Sequence, residues 1–525
     1  MPDRPVAATF GKARSRAGVA QSGAAGWVLD LCLIGAIAWV SIAWSWVGFA
    51  GSDDAAYIGA AHTWLHGVPA PSGFFGDLRF PVIWPITGAI ALFGDHESSV
   101  VLPTVGYALG CLAVTYLGVR LLAGRAAGLL AAVLLAASPL FSGLASTPGD
   151  DIPELFFNEI SLFLFLCAAR RQVGGGWRFY AAGIAAGLAF MTRESTVALL
   201  GLYGVLFLVG FGGRRGVYWI MAGGFATVFG AEMAGYTVWT GDPLYRVRLV
   251  LAAAQHPDPV LAKGLVDFSA GRVFHISPLI DPFPFALAHP EFGLIFLAGI
   301  GAVVWALRKG PPSPPRDIAR VASLLAALGF LISAYVLGHL ALLPRYFLVP
   351  AFCATVMVAC WVVAGLWPGH RRLAVWVVAV LLVADLGGKM VMNTAPLFAE
   401  RALAKLAAQA AQPVHTDPET AYRGTLLYGW AGDAGRVVAT PPGPGDLFFF
   451  NPRFAGIRTP RTAGIDWTRY TPQPGWHVMR RVPAPATALG AVLQWLGVTR
   501  EIPRRLAVRI GAEIPPIVLL RVPRR

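Results

Sequence analysis

Two pairs of adjacent carboxylates stand beside apolar stretches of the sequence. Asp53 and Asp54 open "SDDAAYIGAAHTWLHG", and Asp150 and Asp151 lie in "STPGDDIPELFF". A carboxylate at such a boundary can cap a helix, or it can accept a proton from an incoming hydroxyl or amine. For the first pair the sequence favours one cap and one working carboxylate, Asp53. For the second pair both interpretations stay open.

Three arginines stand beside apolar stretches in the same way. Arg79 precedes "FPVIWP", Arg193 lies in "MTRES", and Arg345 lies in "LPRYFLVP". A guanidinium group can hold a phosphate bidentately and stabilise it as a leaving group. It can also anchor a helix end at the membrane interface by snorkelling. Carboxylates and arginines together on one membrane face predict group transfer from a lipid phosphate.

The composition indicates which elements must position these residues. Of 525 residues, 56% are hydrophobic and 13% are charged, whereas soluble domains carry about 25% charged residues. The sequence therefore predicts an integral membrane protein. Its net charge of +14 reflects arginines and lysines in short loops, which orient membrane proteins, rather than nucleic-acid binding. All five cysteines fall in apolar stretches, so we expect no structural disulfide.

About eleven transmembrane helices are predicted between residues 27 and 393. With residues 1–26 as a basic cytoplasmic N-terminus, every short basic loop falls on the cytoplasmic side, as the positive-inside rule requires. The predicted helices are 27–50, 98–119, 126–145, 153–169, 178–191, 196–212, 217–239, 291–307, 319–341, 346–366 and 372–393.

This topology leaves outer loops at 51–97, 146–152 and 240–290 and an outer tail at 394–525. We predict a small periplasmic α/β domain for the tail, with an amphipathic helix at "AERALAKLAAQAA" and strands at "GTLLYGW" and "GDLFFF". The predicted fold is therefore a polytopic α-helical membrane protein with a C-terminal periplasmic α/β domain.

The stretch "SDDAAYIGAAHTWLHG" resembles the first-loop motif of GT-C glycosyltransferases, in particular bacterial members similar to protein O-mannosyltransferases and lipid A aminoarabinose transferases. The resemblance continues through "RFPVIWPITGAIALFG", "STPGDDIPELFF", "GLAFMTRESTVALL" and "LPRYFLVP". It covers about the first 390 residues. It implies a GT-C-like fold in the bacterial inner membrane. The implied reaction is inverting transfer from a polyprenyl-phosphate-linked sugar to a periplasmic lipid, glycan or protein.

The resemblance also implies roles for individual residues. Asp53 would activate the acceptor with support from Asp54, and Asp151 would line the same cavity. The donor phosphate would be held by Arg79, Arg193 and Arg345. Further cavity candidates are Asp150, Tyr57, Glu232, His275 and Tyr346.

Use of a divalent metal is left open by the sequence. Aminoarabinose transferases carry an acidic residue where this chain has Leu78, and Asp77 lies one position earlier. Three histidines of the third outer loop could supply ligands, although their spacing is not that of a metal site: His256, His275 and His289.

Two other functions compete with an enzyme. A transporter or lipid flippase predicts inverted repeats and charges at the membrane midplane, and neither is clear here. A catalytically silent scaffold would be favoured by loss of the first-loop aspartates, which are both present. Of the charges inside predicted helices, Glu232 has no evident partner, and Asp385 and Lys389 are spaced to neutralise each other. The "GIAAG" at 183–187 predicts close helix packing.

Overall fold

A computed structural model of the protein describes residues 24–171, 176–212, 215–255, 279–308, 313–337, 342–454, 464–512 and 515–524. The first part of the chain is helical. Its helices are α1 (Ala24–Trp44), α2 (Asp53–Leu65), α3 (Phe80–Phe93), α4 (Glu97–Ala123), α5 (Arg125–Ala137), α6 (Pro139–Leu144), α7 (Asp151–Arg171), α8 (Gly176–Thr192), α9 (Val197–Leu208), α10 (Gly216–Thr240), α11 (Tyr245–Gln255), α12 (Pro282–Ala288), α13 (Ile295–Leu307), α14 (Pro314–Leu331), α15 (Leu348–Trp361) and α16 (Arg371–Val391).

Within the described residues, seven helices are long and apolar enough to cross a membrane, namely α1, α4, α7, α10, α14, α15 and α16. The helices α3, α5, α9 and α13 are apolar but shorter. The chain is therefore a multi-pass membrane protein. Each of the eleven predicted segments contains a helix, but eleven crossings stay a prediction.

Two details differ from the expected helix pattern. The segment 126–145 is broken between α5 and α6, where Ser138 caps the second helix by accepting the N–H of Phe141, because the following Pro139 cannot continue the α5 hydrogen bonding. The apolar helix α3 lies within the segment 51–97 that was expected to be an outer loop.

Glycines bring α8 and α10 together closely. A Cβ atom at Gly183 would collide with the carbonyl group of Met221, and one at Gly224 would collide with the carbonyl group of Tyr180. At Gly187 a Cβ atom would lie 2.7 Å from the side chain of Val228. The predicted packing role of the 183–187 stretch is confirmed.

Gly183→Ala is expected to destabilise the protein by about 1–3 kcal/mol, because the added methyl group must push two helix backbones apart. The measurement is the thermal unfolding midpoint of the purified protein in detergent. Gly204→Ala is the matched control, since a Cβ atom there meets nothing within 4 Å. Equal midpoints for the two variants would contradict the packing argument.

Charges inside the helices are held by neighbouring elements. Lys389 of α16 donates a hydrogen bond to Ser41 of α1, and the Ser41 hydroxyl donates to the carbonyl of Ala136 in α5. The sequence predicts that Asp385 neutralises Lys389, but the hydrogen-bond partner of Lys389 in the structure is Ser41. This chain of hydrogen bonds joins three helices of the bundle.

The C-terminal α/β region (residues 394–524) contains a five-stranded mixed sheet with the strand order β2-β1-β3-β5-β4. Strand β1 is parallel to β2 and β3, whereas β5 is antiparallel to β3 and β4. The strands are β1 (Val414–Thr416), β2 (Val437–Val438), β3 (Leu447–Phe450), β4 (His477–Val482) and β5 (Ile517–Arg521), and the helices are α17 (Phe398–Gln409), α18 (Pro418–Arg423), α19 (Thr425–Trp430), α20 (Ala488–Trp495) and α21 (Arg504–Arg509).

The strand expected at "GDLFFF" is β3, and the amphipathic helix before it is α17. The strand expected at "GTLLYGW" is wrong, because these residues form the helix α19. These residues lie between two apolar clusters, where packing overrides local strand propensity: Leu427 is buried with Phe49 and Ile58, and Tyr428 is buried with Val414 and Leu447 of the sheet. Whether 394–525 is a separate periplasmic domain stays a prediction.

Candidate functional site

The first carboxylate pair begins helix α2, and its two members have different surroundings. Asp54 is buried and accepts hydrogen bonds from the amide N–H groups of Ala50 at 2.6 Å, Ser52 at 2.6 Å and Ala55 at 3.1 Å. The side chain of Ser52 makes no capping bond. Asp54 therefore closes the turn that leads into α2, and it leaves the side chain of Asp53 outside the turn.

Asp53 forms an ion pair with Arg345 across 292 positions of sequence, with Nη2 to Oδ2 at 2.8 Å. The side chain of Asp53 is 51% exposed and that of Arg345 is 29% exposed. Arg345 lies in the short 3₁₀ helix Pro344–Phe347, directly before α15. This pair is more accessible to a bound molecule than the ion pairs of the second carboxylate pair, whose side chains are at most 10% exposed.

The second carboxylate pair lies at the start of α7 and is buried. Asp150 pairs with Arg79, and its Oδ2 lies 3.5 Å from Nε of Arg193. Asp151 pairs with Nη1 of the same Arg193. Both carboxylates therefore neutralise arginines, and the simple helix-cap interpretation of this pair is insufficient.

Aromatic side chains join the two pairs. The guanidinium carbons of Arg193 and Arg345 lie 5.1 Å and 5.6 Å from the ring centre of Tyr346, within cation–π range. The hydroxyl of Tyr57 accepts a hydrogen bond from Nη1 of Arg79 at 2.5 Å. Tyr346 thus lies next to both ion pairs that face the cavity.

Glu232 has a partner that sequence reasoning missed. In α11, Arg246 places its Nε 2.7 Å from Oε1 of Glu232 and its Nη1 2.9 Å from Oε1 of Glu194. The other oxygen of Glu194 lies 3.5 Å from Nη2 of Arg79. Glu232 is therefore connected to the second carboxylate pair through Arg246, Glu194 and Arg79. The sequence feature that could have identified this partner is Arg246, which lies soon after α10 in the 240–290 segment.

These ion pairs form what we term the paired-charge cluster. It contains two more carboxylates than arginines, so it carries a formal negative charge when all its members are ionised. Each of its arginines already contacts a carboxylate, so an incoming phosphate would either share the guanidinium group with that carboxylate or displace it. The members are Asp53, Asp150, Asp151, Glu154, Glu194 and Glu232 with Arg79, Arg193, Arg246 and Arg345.

A cavity of about 110 Å³ lies between the two carboxylate pairs. Its lining includes the predicted site residues Asp53, Asp54, Tyr57, Asp150, Asp151 and Arg345, together with the polar side chains of Ser52 and Thr147. A second cavity of about 20 Å³ lies behind it, against Arg193, Glu154 and Tyr346. The structure thus brings the two carboxylate pairs, the three arginines and Tyr346 into one site.

The described residues supply no set of three histidine, cysteine or carboxylate side chains grouped for a metal ion. Leu78 is buried in an apolar cluster with Phe80 and Tyr236. The ring of His289 packs 4.9 Å from that of Phe285, and its Nδ1 accepts the N–H of Glu291. His256 and His275 lie outside the described residues, so the role considered for His275 stays a prediction.

Burial raises the pKa of Asp54 from its ordinary value of 3.8 to about 6, and the neighbouring charge of Asp53 adds to the effect. The three amide donors oppose this shift. Because the folded-state pKa is raised, protonation of Asp54 favours the folded protein as the pH falls from about 6 towards 4. A protonated carboxyl, however, accepts fewer hydrogen bonds. We therefore expect the turn to lose part of its hydrogen bonding to Asp54 as the pH falls below about 6.

We expect any reaction that depends on Asp53 to become slower below about pH 6, because protonation of Asp54 weakens the turn that holds Asp53. The measurement is the initial rate of that reaction as a function of pH. Asp54→Asn mimics the protonated group, so this variant should be slower and should lack the transition near pH 6. An unchanged acidic transition in Asp54→Asn would assign it to another group.

Two findings relate this site to known proteins. The family described as dolichyl-phosphate-mannose-protein mannosyltransferase matches residues 80–230. The matched range begins directly after Arg79 and includes Asp150, Asp151 and Arg193. The crystal structure of the oligosaccharyltransferase of Archaeoglobus fulgidus in complex with zinc and sulfate aligns with a TM-score of 0.51 at 14% identity. The chain has the fold of the GT-C glycosyltransferases.

The GT-C alignment covers 79% of this chain and 62% of the oligosaccharyltransferase, so the chain spans less than two thirds of that protein. The oligosaccharyltransferase AglB of the same organism, with an inhibitory peptide and a dolichol-phosphate, aligns over 79% and 64% of the chains at 13% identity and a TM-score of 0.49. ArnT of Cupriavidus metallidurans bound to undecaprenyl phosphate aligns over 86% and 100% at 15% identity and a TM-score of 0.41. No curated protein matches the sequence significantly.

Proposed function

We propose that this protein is an inverting glycosyltransferase that moves a sugar from a polyprenyl-phosphate donor to a lipid, glycan or protein acceptor. The observation that carries the proposal is the accessible Asp53–Arg345 ion pair at a cavity whose other carboxylates are buried, Asp150 and Asp151 in ion pairs and Asp54 among backbone amides. The GT-C fold and the match to a family named for a dolichyl-phosphate donor support it.

In the proposed reaction an acceptor oxygen or nitrogen attacks the anomeric carbon of the sugar. The bond from this carbon to the donor phosphate breaks, and the polyprenyl phosphate leaves with the bonding electrons. Asp53 takes the acceptor's proton as general base. Arg345 stabilises the negative charge that develops on the leaving phosphate. The two residues that form the accessible ion pair would therefore act at opposite ends of the reacting bonds.

The pairing of Asp53 with Arg345 also suggests an order of events. A donor phosphate that binds Nη2 of Arg345 would compete with Asp53, whose Oδ2 lies 2.8 Å from this nitrogen. Once Arg345 contacts the phosphate, the Asp53 carboxylate is released and can orient the acceptor. Donor binding would thus prepare the general base.

The remaining predicted residues take supporting roles in this proposal. Arg79 and Arg193 are buried between carboxylates, so we assign them to holding Asp150 and Asp151 and to neutralising part of the negative charge at the cavity wall. Tyr346 would keep Arg193 and Arg345 at a fixed separation through its ring. Breaking buried ion pairs is costly, which makes Arg345 the arginine best suited to bind and release the donor.

Mass spectrometry of glycans and lipids from a deletion strain tests the function. We expect one fraction to lose the mass of one sugar unit, and we expect the wild-type gene but not its Asp53→Asn variant to restore it. A change in lipid distribution with no mass loss would favour the transporter or flippase alternative. No change in any fraction would overturn the proposal.

We further propose that the site and the C-terminal α/β region face the periplasm of a bacterial inner membrane. In a variant without native cysteines, Ala431→Cys should react with a membrane-impermeant maleimide in intact spheroplasts. Arg372→Cys, at the start of α16, is the control and should react only after lysis. The reverse pattern would invert the topology.

A further inference from the structure

The C-terminal α/β region contacts the segment that precedes the first carboxylate pair. Nη2 of Arg423 donates a hydrogen bond to the carbonyl of Ala50 at 2.9 Å. Arg401 forms an ion pair with Glu97, with one nitrogen-to-oxygen distance of 2.7 Å. These contacts join the two parts of the chain at residues 49–51 and at the start of α4.

The contacts reach Asp54 through the backbone of Ala50. The same residue that accepts the hydrogen bond of Arg423 at its carbonyl donates its N–H to the Asp54 carboxylate at 2.6 Å. One position earlier, the N–H of Phe49 donates to Oε1 of Glu97 at 2.9 Å, and Glu97 is held by Arg401. Arg423 therefore holds Ala50 directly, and Arg401 holds Phe49 through Glu97.

Close packing limits how this junction can move. Gly51 has φ of +64°, and a Cβ atom there would lie 2.7 Å from the carbonyl oxygen of Arg423, so the two backbones meet with no side chain between them. Phe49 is buried, with its ring centre 5.6 Å from that of Trp430. One apolar cluster contains Phe49 and Ile58 together with Leu427 from the C-terminal region. The junction is a shared core.

We propose that the C-terminal α/β region is the positioning element of the first-loop carboxylates, and that Arg423 is the positioning residue. Arg423 holds the peptide of Ala50 so that its N–H keeps the bond to Asp54, and the turn then directs Asp53 towards Arg345. The catalytic consequence rests on the proposed function of Asp53. The positioning itself does not depend on the reaction.

Hydrogen–deuterium exchange of the purified full-length protein in detergent tests the positioning. In Arg423→Ala we expect the amides of residues 50–55 to exchange about tenfold faster, because a hydrogen bond from a charged donor is lost. Arg436→Ala is the matched control: it removes the same charge, and this arginine donates to the carbonyls of Ala407, Ala408 and Ala410 inside the C-terminal region. Unchanged exchange in Arg423→Ala would overturn the proposal.

Complementation of the deletion strain gives the second readout. Arg423→Ala should lower the amount of sugar-modified product, whereas Arg423→Lys, which keeps a charged donor, should restore part of it together with slow exchange. If Asp53→Asn abolishes the product while Arg423→Ala changes neither product nor exchange, the positioning role is wrong and the function stands. If Asp53→Asn keeps full product, the function is wrong, and the exchange data still decide the positioning.

Discussion

Replacing Asp53 by asparagine is expected to lower the rate of sugar transfer by about 10²–10⁴-fold, the usual contribution of a general base. Asparagine has nearly the same size and its carbonyl oxygen can still accept the hydrogen bond from Arg345, but it cannot take the acceptor's proton. The measurement is the initial rate of product formation by membranes that contain equal amounts of protein. The thermal unfolding midpoint should stay close to that of the wild type, because exposed ion pairs contribute about 0–1 kcal/mol.

Asp77→Asn is the matched control for this experiment. Asp77 is another acidic residue of the first outer loop, in the 3₁₀ helix Phe75–Leu78, and it is not a member of the paired-charge cluster. It should keep its activity. A rate for Asp53→Asn within threefold of the control would remove Asp53 from the chemistry, and a large loss in both variants would indicate a general effect of outer-loop charge.

Much of the candidate site could be predicted from the sequence, because each candidate residue lies beside an apolar helix. The predicted topology placed Asp53, Asp151, Arg193 and Arg345 on one face, and the structure brings them around two adjoining cavities that share Asp151 and Arg345. The division of labour within the first pair was also predicted in part. Which carboxylate closes the turn depends on the backbone of Ala50 and Ser52, whose amide groups converge on Asp54.

The pairing of charges could not be predicted from the sequence. An ion pair such as Asp53–Arg345 joins residues 292 positions apart, so local spacing contains no information about it. The same holds for Arg246, whose neighbour Arg248 pairs instead with the nearby Asp242. Only the packing of α10 against α11 decides which arginine meets Glu232.

The secondary-structure prediction failed at a point where two apolar clusters meet. The apolar residues of "GTLLYGW" fit a strand by composition, but in the structure they lie between the sheet and the segment that contains α2 and α3. A single helical turn lets Leu427 and Tyr428 point into separate cores, which a strand would also allow. Helix α19 also places Trp430 against Phe49 and Asp95, and long-range packing of this kind overrides local strand propensity.

The Arg345→Gln and Arg193→Gln variants are expected to lose different properties: donor binding in the first and stability in the second. Arg345 belongs to the more accessible pair, so its loss should lower the unfolding midpoint much less than the loss of the buried Arg193. Its loss should raise the KM for the donor, because the phosphate loses its guanidinium partner. Arg193 contacts the buried Asp150, Asp151 and Glu154. Its loss should cost about 3–5 kcal/mol of stability, because buried charges are left without a partner.

The comparison of these two variants separates phosphate binding from structural pairing. Thermal unfolding in detergent with and without a short-chain polyprenyl phosphate is the measurement that distinguishes them. The lipid phosphate should stabilise the wild type and Arg193→Gln, because both retain Arg345, but it should not stabilise Arg345→Gln. Equal stabilisation of Arg345→Gln and the wild type would move the phosphate site away from Arg345. In that case the Asp53–Arg345 pair would be structural, and donor binding could not release Asp53.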